Sequence, residues 1–245
     1  MANELKTVLV TGGSQGIGHS AVERFLSSGW RVYTCSRHPY SQDQCGKIDK
    51  ENYFHINLNN RHEITDGIKK IRVCLDGTPL NALVNNAGIS PKSEAGKRMA
   101  SVETEMSIWD QVFQVNFFAP IMLVRGLIKE LKKGKASIVN ITSIAGSRVQ
   151  PFAGSAYATS KAALSALTRE MSSDLGPYGI RVNSVSPGEI NTSILSPGTE
   201  KLVDNIPLGR LGEPDEIAEI VYFLCSEKSC YISGTEVHVN GGEHV

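Results

Sequence analysis

Neither sign of charge prevails in this sequence: lysine and arginine number 25, aspartate and glutamate 25. Without an excess of positive charge there is no electrostatic reason to expect nucleic acid or an anionic membrane as partner. Long apolar runs are missing as well. None approaches the roughly 18 residues that suggest a membrane span. Glu4 and Lys6 interrupt the N-terminus, and its apolar stretch, Val8 to Val10, is too short for a signal peptide. Cysteine is sparse: Cys35, Cys45, Cys74, Cys225 and Cys230 form no CxxC pair, and the count is odd. Reduced thiols in a soluble, cytoplasmic protein are the expectation, with Cys35 in the core. There is no HExxH, and His19, His38, His55, His62, His238 and His244 show no ligand spacing, so no metal is expected.

What remains is ordinary globular composition, 40% hydrophobic and 20% charged over 245 residues. Short β-rich runs alternate with helix-length segments: Thr7 to Val10, Arg31 to Cys35, Tyr53 to Ile56, Ala82 to Val84, Ser137 to Ile141, Arg181 to Ser186 and Glu236 to Val239. This alternation predicts an α/β fold, a doubly wound, mostly parallel seven-stranded sheet of Rossmann type with helices on both faces. Right-handed crossovers would put all the strand ends that bind ligand on one edge. No Pro/Gly-rich linker divides the chain, so residues 1–245 read as one domain. Two loops, 88–101 and 187–201, fall at the expected mouth of the site.

The first run leads into Thr11-Gly12-Gly13-Ser14-Gln15-Gly16-Ile17-Gly18, followed by a helix pattern from Ala21 to Leu26. Glycines there permit a tight turn, close approach of backbone N–H groups to a pyrophosphate, and close helix–strand packing. The helix N-terminus would face the anion. About 20 positions further on, a chain that favours NAD usually carries an acidic residue. Here Ser36 and Arg37 stand at the end of the second strand, and a guanidinium suits a 2′-phosphate. After the third strand, Asn57-Leu58 are candidate contacts for an adenine edge.

A second cluster carries acid–base chemistry. The strand Ser137 to Ile141 runs on into Thr142 and Ser143, and Tyr157 and Lys161 then sit at i and i+4 on one helix face. An ammonium beside a phenol favours the phenolate, drawing a tyrosine down from about 10 toward neutrality. Ser143 is placed to hydrogen-bond a substrate oxygen.

With Asn85-Asn86-Ala87-Gly88, Asn116 and Pro187-Gly188 added to these motifs, the chain resembles the short-chain dehydrogenase/reductase family along nearly its whole length. The resemblance implies that Tyr157 is the general acid in reduction and the base in oxidation. Lys161 would lower its pKa and hold the nicotinamide ribose, Ser143 would orient the substrate oxygen, and Asn116 would hold a water linking Lys161 to solvent. Asn86, Ala87 and Gly88 would line the adenosine ribose, while Pro187, Gly188, the Ile190 backbone and Thr192 would surround the carboxamide. The cofactor expected is NADP(H), with NAD(H) as the alternative. Gln15 stands where NADP-using relatives often carry a basic residue, which leaves the charge to Arg37.

The resemblance leaves two substrate classes open, a carrier-bound 3-oxoacyl group and a small sugar- or polyol-like compound. Lys129, Lys132, Lys133 and Lys135 form a positive cluster, and Lys92, Lys97 and Arg98 add charge to the first loop. A reading from another class is a non-catalytic dinucleotide-binding regulator on the same fold. Family resemblance, with apolar helix patterns over Trp109 to Lys129 and Tyr157 to Leu175, suggests a homotetramer.

Overall fold

The computed structural model describes residues 5–38, 41, 48–192 and 199–245. The seven expected strands are present as β1 (Thr7–Thr11), β2 (Arg31–Ser36), β3 (Tyr53–His55), β4 (Ala82–Asn85), β5 (Ser137–Ile141), β6 (Arg181–Pro187) and β7 (Glu236–Val239). They form one sheet in the order β3-β2-β1-β4-β5-β6-β7. Every pairing in it is parallel.

The all-apolar look of the central strands follows from burial on both faces. Successive side chains point to opposite layers. Leu9, Leu83, Ile138 and Val182 pack with Ile64, Ile68 and Ile71 of α2 (Arg61–Leu75) and with Met171 of α6 (Ser155–Leu175). Val8, Val10, Val84 and Val139 face the other layer, meeting Phe25 of α1 (Gly16–Ser27) and Val221 of α7 (Pro214–Cys225). Asn60 caps α2, its side chain accepting from the backbone of His62 at 3.0 Å and Glu63 at 3.3 Å. A reciprocal Glu213–Glu216 capping box starts α7.

One helix differs from its sequence pattern. The run from Trp109 to Lys129 is divided into α3 (Met106–Phe113), a π-helical turn (Gln114–Phe118) and α4 (Ala119–Gly126). After Leu127 the axis bends by 69° into α5 (Ile128–Gly134). Gln114, Val115 and Asn116 are buried in succession. A regular α-helix turns 100° per residue and would not present three neighbours to one core, whereas the wider turn does. Among the described residues no single helix is long and apolar enough to cross a membrane; only the bent pair passes by length and composition. Cys35, Cys74, Cys225 and Cys230 are free thiols, Cys35 fully buried with its proton affinity pushed up to about 12 by that burial. Cys45 lies outside the described residues.

Strand order places the site. The chain moves outward from β1 to β3, then returns to lay β4 on the other side of β1. A crevice opens where the order reverses, at the C-terminal ends of β1 and β4.

Candidate active site

At that crevice Thr11 ties the two strand ends together. Its hydroxyl accepts from the backbone N–H groups of Asn86 and Ala87, both at 3.0 Å, and the Asn86 carboxamide donates to the Thr11 carbonyl at 2.9 Å. The glycine turn is packed against this knot. Gly16 has a φ of +54, and a Cβ on Gly18 would lie 2.1 Å from the Gly12 carbonyl oxygen. No side chain caps α1, since the Gln15 carboxamide makes no cap bond. Its first N–H groups are left for an outside acceptor.

The turn forms one end of a cleft of about 390 Å³. Gly12, Ser14, Gln15, Gly16, Ile17, Gly18, Ser36, Arg37, Asn57, Leu58, Asn86, Ala87, Gly88, Pro187, Gly188, Ile190 and Thr192 all line it, together with Ser143, Tyr157 and Lys161. The open helix N-terminus, the absence of side-chain volume at Gly12, Gly16 and Gly88, and the size of the cleft fit a dinucleotide. Ser36 is buried at the end of β2, with Ser14 donating to it at 3.3 Å; Arg37 beside it is exposed, its Nε 3.4 Å from the His38 ring. Part of the 187–201 loop, residues 193–198, lies outside the described residues.

Tyr157 and Lys161 occupy the first turns of α6, facing the end of β5. Ser143 stands beside Tyr157 and lowers its pKa, and its hydroxyl accepts from the Ala145 N–H at 3.2 Å. Lys161 is 4% exposed and donates to the Ile141 carbonyl at 2.6 Å. Burial draws its ammonium down to about 8. The sequence-based expectation that Lys161 depresses the phenol is not met in this arrangement. Loss of water raises the Tyr157 pKa, the Ser143 side chain lowers it, and the Glu189 carboxylate raises it again; Lys161 is not among the groups that shift it. The reason is geometric: the ammonium is turned to Ile141 and stands 5.7 Å from the phenol ring centroid.

Asn116 reaches the same place from the π-helical turn, though it does not itself line the cleft. Its Oδ1 accepts from the Ile89 N–H at 2.9 Å and its Nδ2 donates to the Ile89 carbonyl and the Ser160 hydroxyl, both at 3.0 Å. A Cβ on Gly88 would sit 3.3 Å from the Lys161 nitrogen and 3.5 Å from Asn116 Oδ1, so both groups border the space that this glycine leaves open.

Four more residues line the cleft, Lys92, Gln150, Phe152 and Glu189; sequence reasoning named Lys92 only as charge on the first loop and gave the other three no role. No short motif joins them; they come from three segments far apart in the chain. The 88–101 loop is a lip docked on the segment before Tyr157. Lys92 donates to the Phe152 carbonyl, Arg98 donates to the Ala153 carbonyl at 2.9 Å, and the Ser155 N–H donates to the Met99 carbonyl at 3.1 Å. The other lysine cluster lies elsewhere. Lys132 stacks over Tyr178, Lys133 donates to Gly77, and Lys135 lies two residues before the start of β5, at the end of the strand away from Ser143.

A folded crevice of this kind, with Ser, Tyr and Lys gathered at its strand ends, is the architecture of a nucleotide-dependent oxidoreductase, and known proteins share it. The family model described as enoyl-(acyl carrier protein) reductase matches residues 12–244. Protein FixR of Bradyrhizobium diazoefficiens is 49% identical over 244 residues, spanning 99% of this chain and 88% of that protein. The 3-oxoacyl-(acyl-carrier-protein) reductase FabG of Aquifex aeolicus is 32% identical, over 97% and 96% of the two chains. Among solved structures, a short-chain dehydrogenase/reductase family oxidoreductase from Brucella ovis, in complex with a partially ordered NAD, superposes with a TM-score of 0.84 at 52% identity, over 97% of this chain and 100% of that one. A 3-oxoacyl-(acyl-carrier protein) reductase from Brucella melitensis with bound NAD gives 0.86 at 28% identity, over 100% and 92%. The chain belongs to the short-chain dehydrogenase/reductase family, and it is an oxidoreductase.

Proposed function

We propose that this enzyme transfers a hydride between NADP(H) and a carbonyl compound or secondary alcohol, with Tyr157 as the proton donor and acceptor. The observation that carries the reading is the convergence of Ser143, Tyr157 and Lys161 on one wall of a cleft whose other end is an uncapped helix N-terminus. The nicotinamide supplies or takes up the hydride. The chain's own residues do the rest. Ser143, beside the phenol on the cleft wall, holds the substrate oxygen against Tyr157. A phenol held above its usual pKa by burial stays protonated, the form needed to donate to a carbonyl oxygen as it becomes an alkoxide. Lys161 and Asn116, both beside Gly88, are the groups through which that proton would be replaced. Lys161 would also hold the nicotinamide ribose, Gly12 to Gly18 the pyrophosphate, Asn57 and Leu58 the adenine, and Asn86 to Gly88 the adenosine ribose. Pro187, Gly188, Ile190 and Thr192 would surround the carboxamide.

Preference for NADP(H) rests on Arg37 and on the lack of a carboxylate at the end of β2. Named complexes of the relatives contain NAD, so NAD(H) is the competing cofactor. A carbonyl and alcohol panel run with both cofactors, read by nicotinamide absorbance, tests the reading. A partly exposed charge-assisted contact is worth about 1.5–3 kcal/mol, roughly ten- to a hundredfold in affinity. Without a second charge at Gln15 the lower end is expected. Arg37→Ala should raise KM for NADP(H) about tenfold and leave NAD(H) kinetics little changed. Equal losses with both would make Arg37 structural. The protein is further proposed to work as a cytoplasmic homotetramer.

A further inference from the structure

The cleft holds polar side chains that no step of hydride transfer uses. Glu189 and Lys92 both line it, with Gln150 beside them. No group among the described residues donates a hydrogen bond to the Glu189 carboxylate. It is held above the usual carboxylate range by burial and by the Glu243 carboxylate, with the Lys92 ammonium pulling it back. One Lys92 proton is given to the Phe152 carbonyl, leaving two donors. Behind them Glu243 is 5% exposed. Its Oε1 accepts from Gln150 at 2.7 Å, while its Oε2 is buried without any partner. That oxygen lies 3.0 Å from where a Cβ on Gly188 would stand. A buried carboxylate oxygen lacking a donor is costly, and such groups in folded proteins call for a partner.

We propose that Glu189 and Lys92, backed by the Gln150–Glu243 pair, form a polar subsite for a hydroxyl group carried beside the reacting carbon, so that the substrate is a small polyhydroxylated carbonyl compound or alcohol rather than an acyl thioester. The subsite rests on the hydride-transfer reading of Tyr157. Its chemistry suits a neutral group that both gives and takes a hydrogen bond. A hydroxyl donates to Glu189 and accepts from Lys92. An anion would face the Glu189 carboxylate, and an alkyl chain would strip water from Glu189 and return no hydrogen bond. Glu189 lines the same cleft as Tyr157, and its carboxylate raises the Tyr157 pKa.

The test uses the full-length enzyme loaded with cofactor and three probes: 2,3-butanediol, 2-butanol and the N-acetylcysteamine thioester of acetoacetate. Equilibrium binding and turnover are measured separately. A charge-assisted hydrogen bond predicts that the diol binds about tenfold or more tightly than the mono-alcohol, and that Glu189→Leu reduces this ratio to near one. Glu189→Gln, which keeps a polar group, should retain part of it, while dinucleotide affinity stays at the wild-type value in both variants. A wild-type ratio near one, a ratio that survives Glu189→Leu, or tighter binding of the thioester overturns the subsite, whether or not the probe is turned over. A diol preference in binding with no turnover of any probe leaves the subsite standing and counts against the hydride-transfer reading.

Discussion

Lys161 is a charged group held almost out of reach of water. Its ammonium is buried with one backbone carbonyl as partner, which draws it from an ordinary 10.5 to about 8. A lysine whose folded pKa lies below its unfolded one binds fewer protons in the native state, so stability rises with pH across the interval between the two. The destabilising cost is fully present below about 8 and fades toward 10.5. Lys161→Met removes the charge and keeps the length. The difference in Tm, Met variant minus wild type, should therefore shrink as pH is raised from about 7 to about 10. Thermal melts of the two proteins across that range decide it, and a difference that grows with pH would contradict the assignment. The direction of the Tyr157 shift belongs at the same scale. Spacing places Tyr157 and Lys161 on one face, but it does not say where the ammonium points, and the carbonyl of Ile141 claims it.

At the scale of elements, the glycine turn and α1 act as one part. The Cβ of an alanine at Gly18 would overlap the Gly12 carbonyl at 2.1 Å and the Asn86 carboxamide at 2.4 Å, and neither backbone nor knot can yield cheaply. Gly18→Ala is expected to cost about 1–3 kcal/mol and to weaken dinucleotide binding at least as much as it lowers stability. A denaturant titration with a cofactor titration checks both, and wild-type values in each would mean that the turn is looser than described.

The sequence made this part legible because each requirement is local. Buried strands read as apolar runs, and tight turns read as glycines at fixed spacing. All seven strands were expected within a residue or so of their ends, as with β1, which runs on to Thr11 because that residue pairs with Cys35. Non-local features were not legible. The π-helical turn around Asn116 lies just before Pro120 and the bend follows Gly126; both residue types weaken a helix locally, but neither fixes a wide turn or a 69° angle from the sequence alone. The polar link from Asn85 to Asn140 to Thr168 through the core, at 2.8 and 2.9 Å, joins two strands and a helix that no sequence pattern relates. Glu189, Lys92 and Gln150 meet for the same reason, through the fold alone.

Taken whole, the molecule exposes several large apolar side chains. Met106 is 70% exposed and Phe118 39% on the interrupted helix, and Tyr231 and Leu208 stand out near β7. Burying such surface between copies would remove apolar area from water at roughly 25 cal/mol per Å², and closed symmetry is the usual outcome. Multi-angle light scattering at micromolar concentration should return a homotetramer, and a monomer would contradict that expectation. The measurement that bears most directly on the enzyme as a whole is a paired one on Tyr157→Phe: steady-state turnover of a responsive substrate and equilibrium affinity for the dinucleotide. Loss of the one titratable hydroxyl should lower kcat by about 100- to 10,000-fold with dinucleotide affinity close to wild type, whereas near-wild-type turnover in the phenylalanine variant would show that the proton passes through another group.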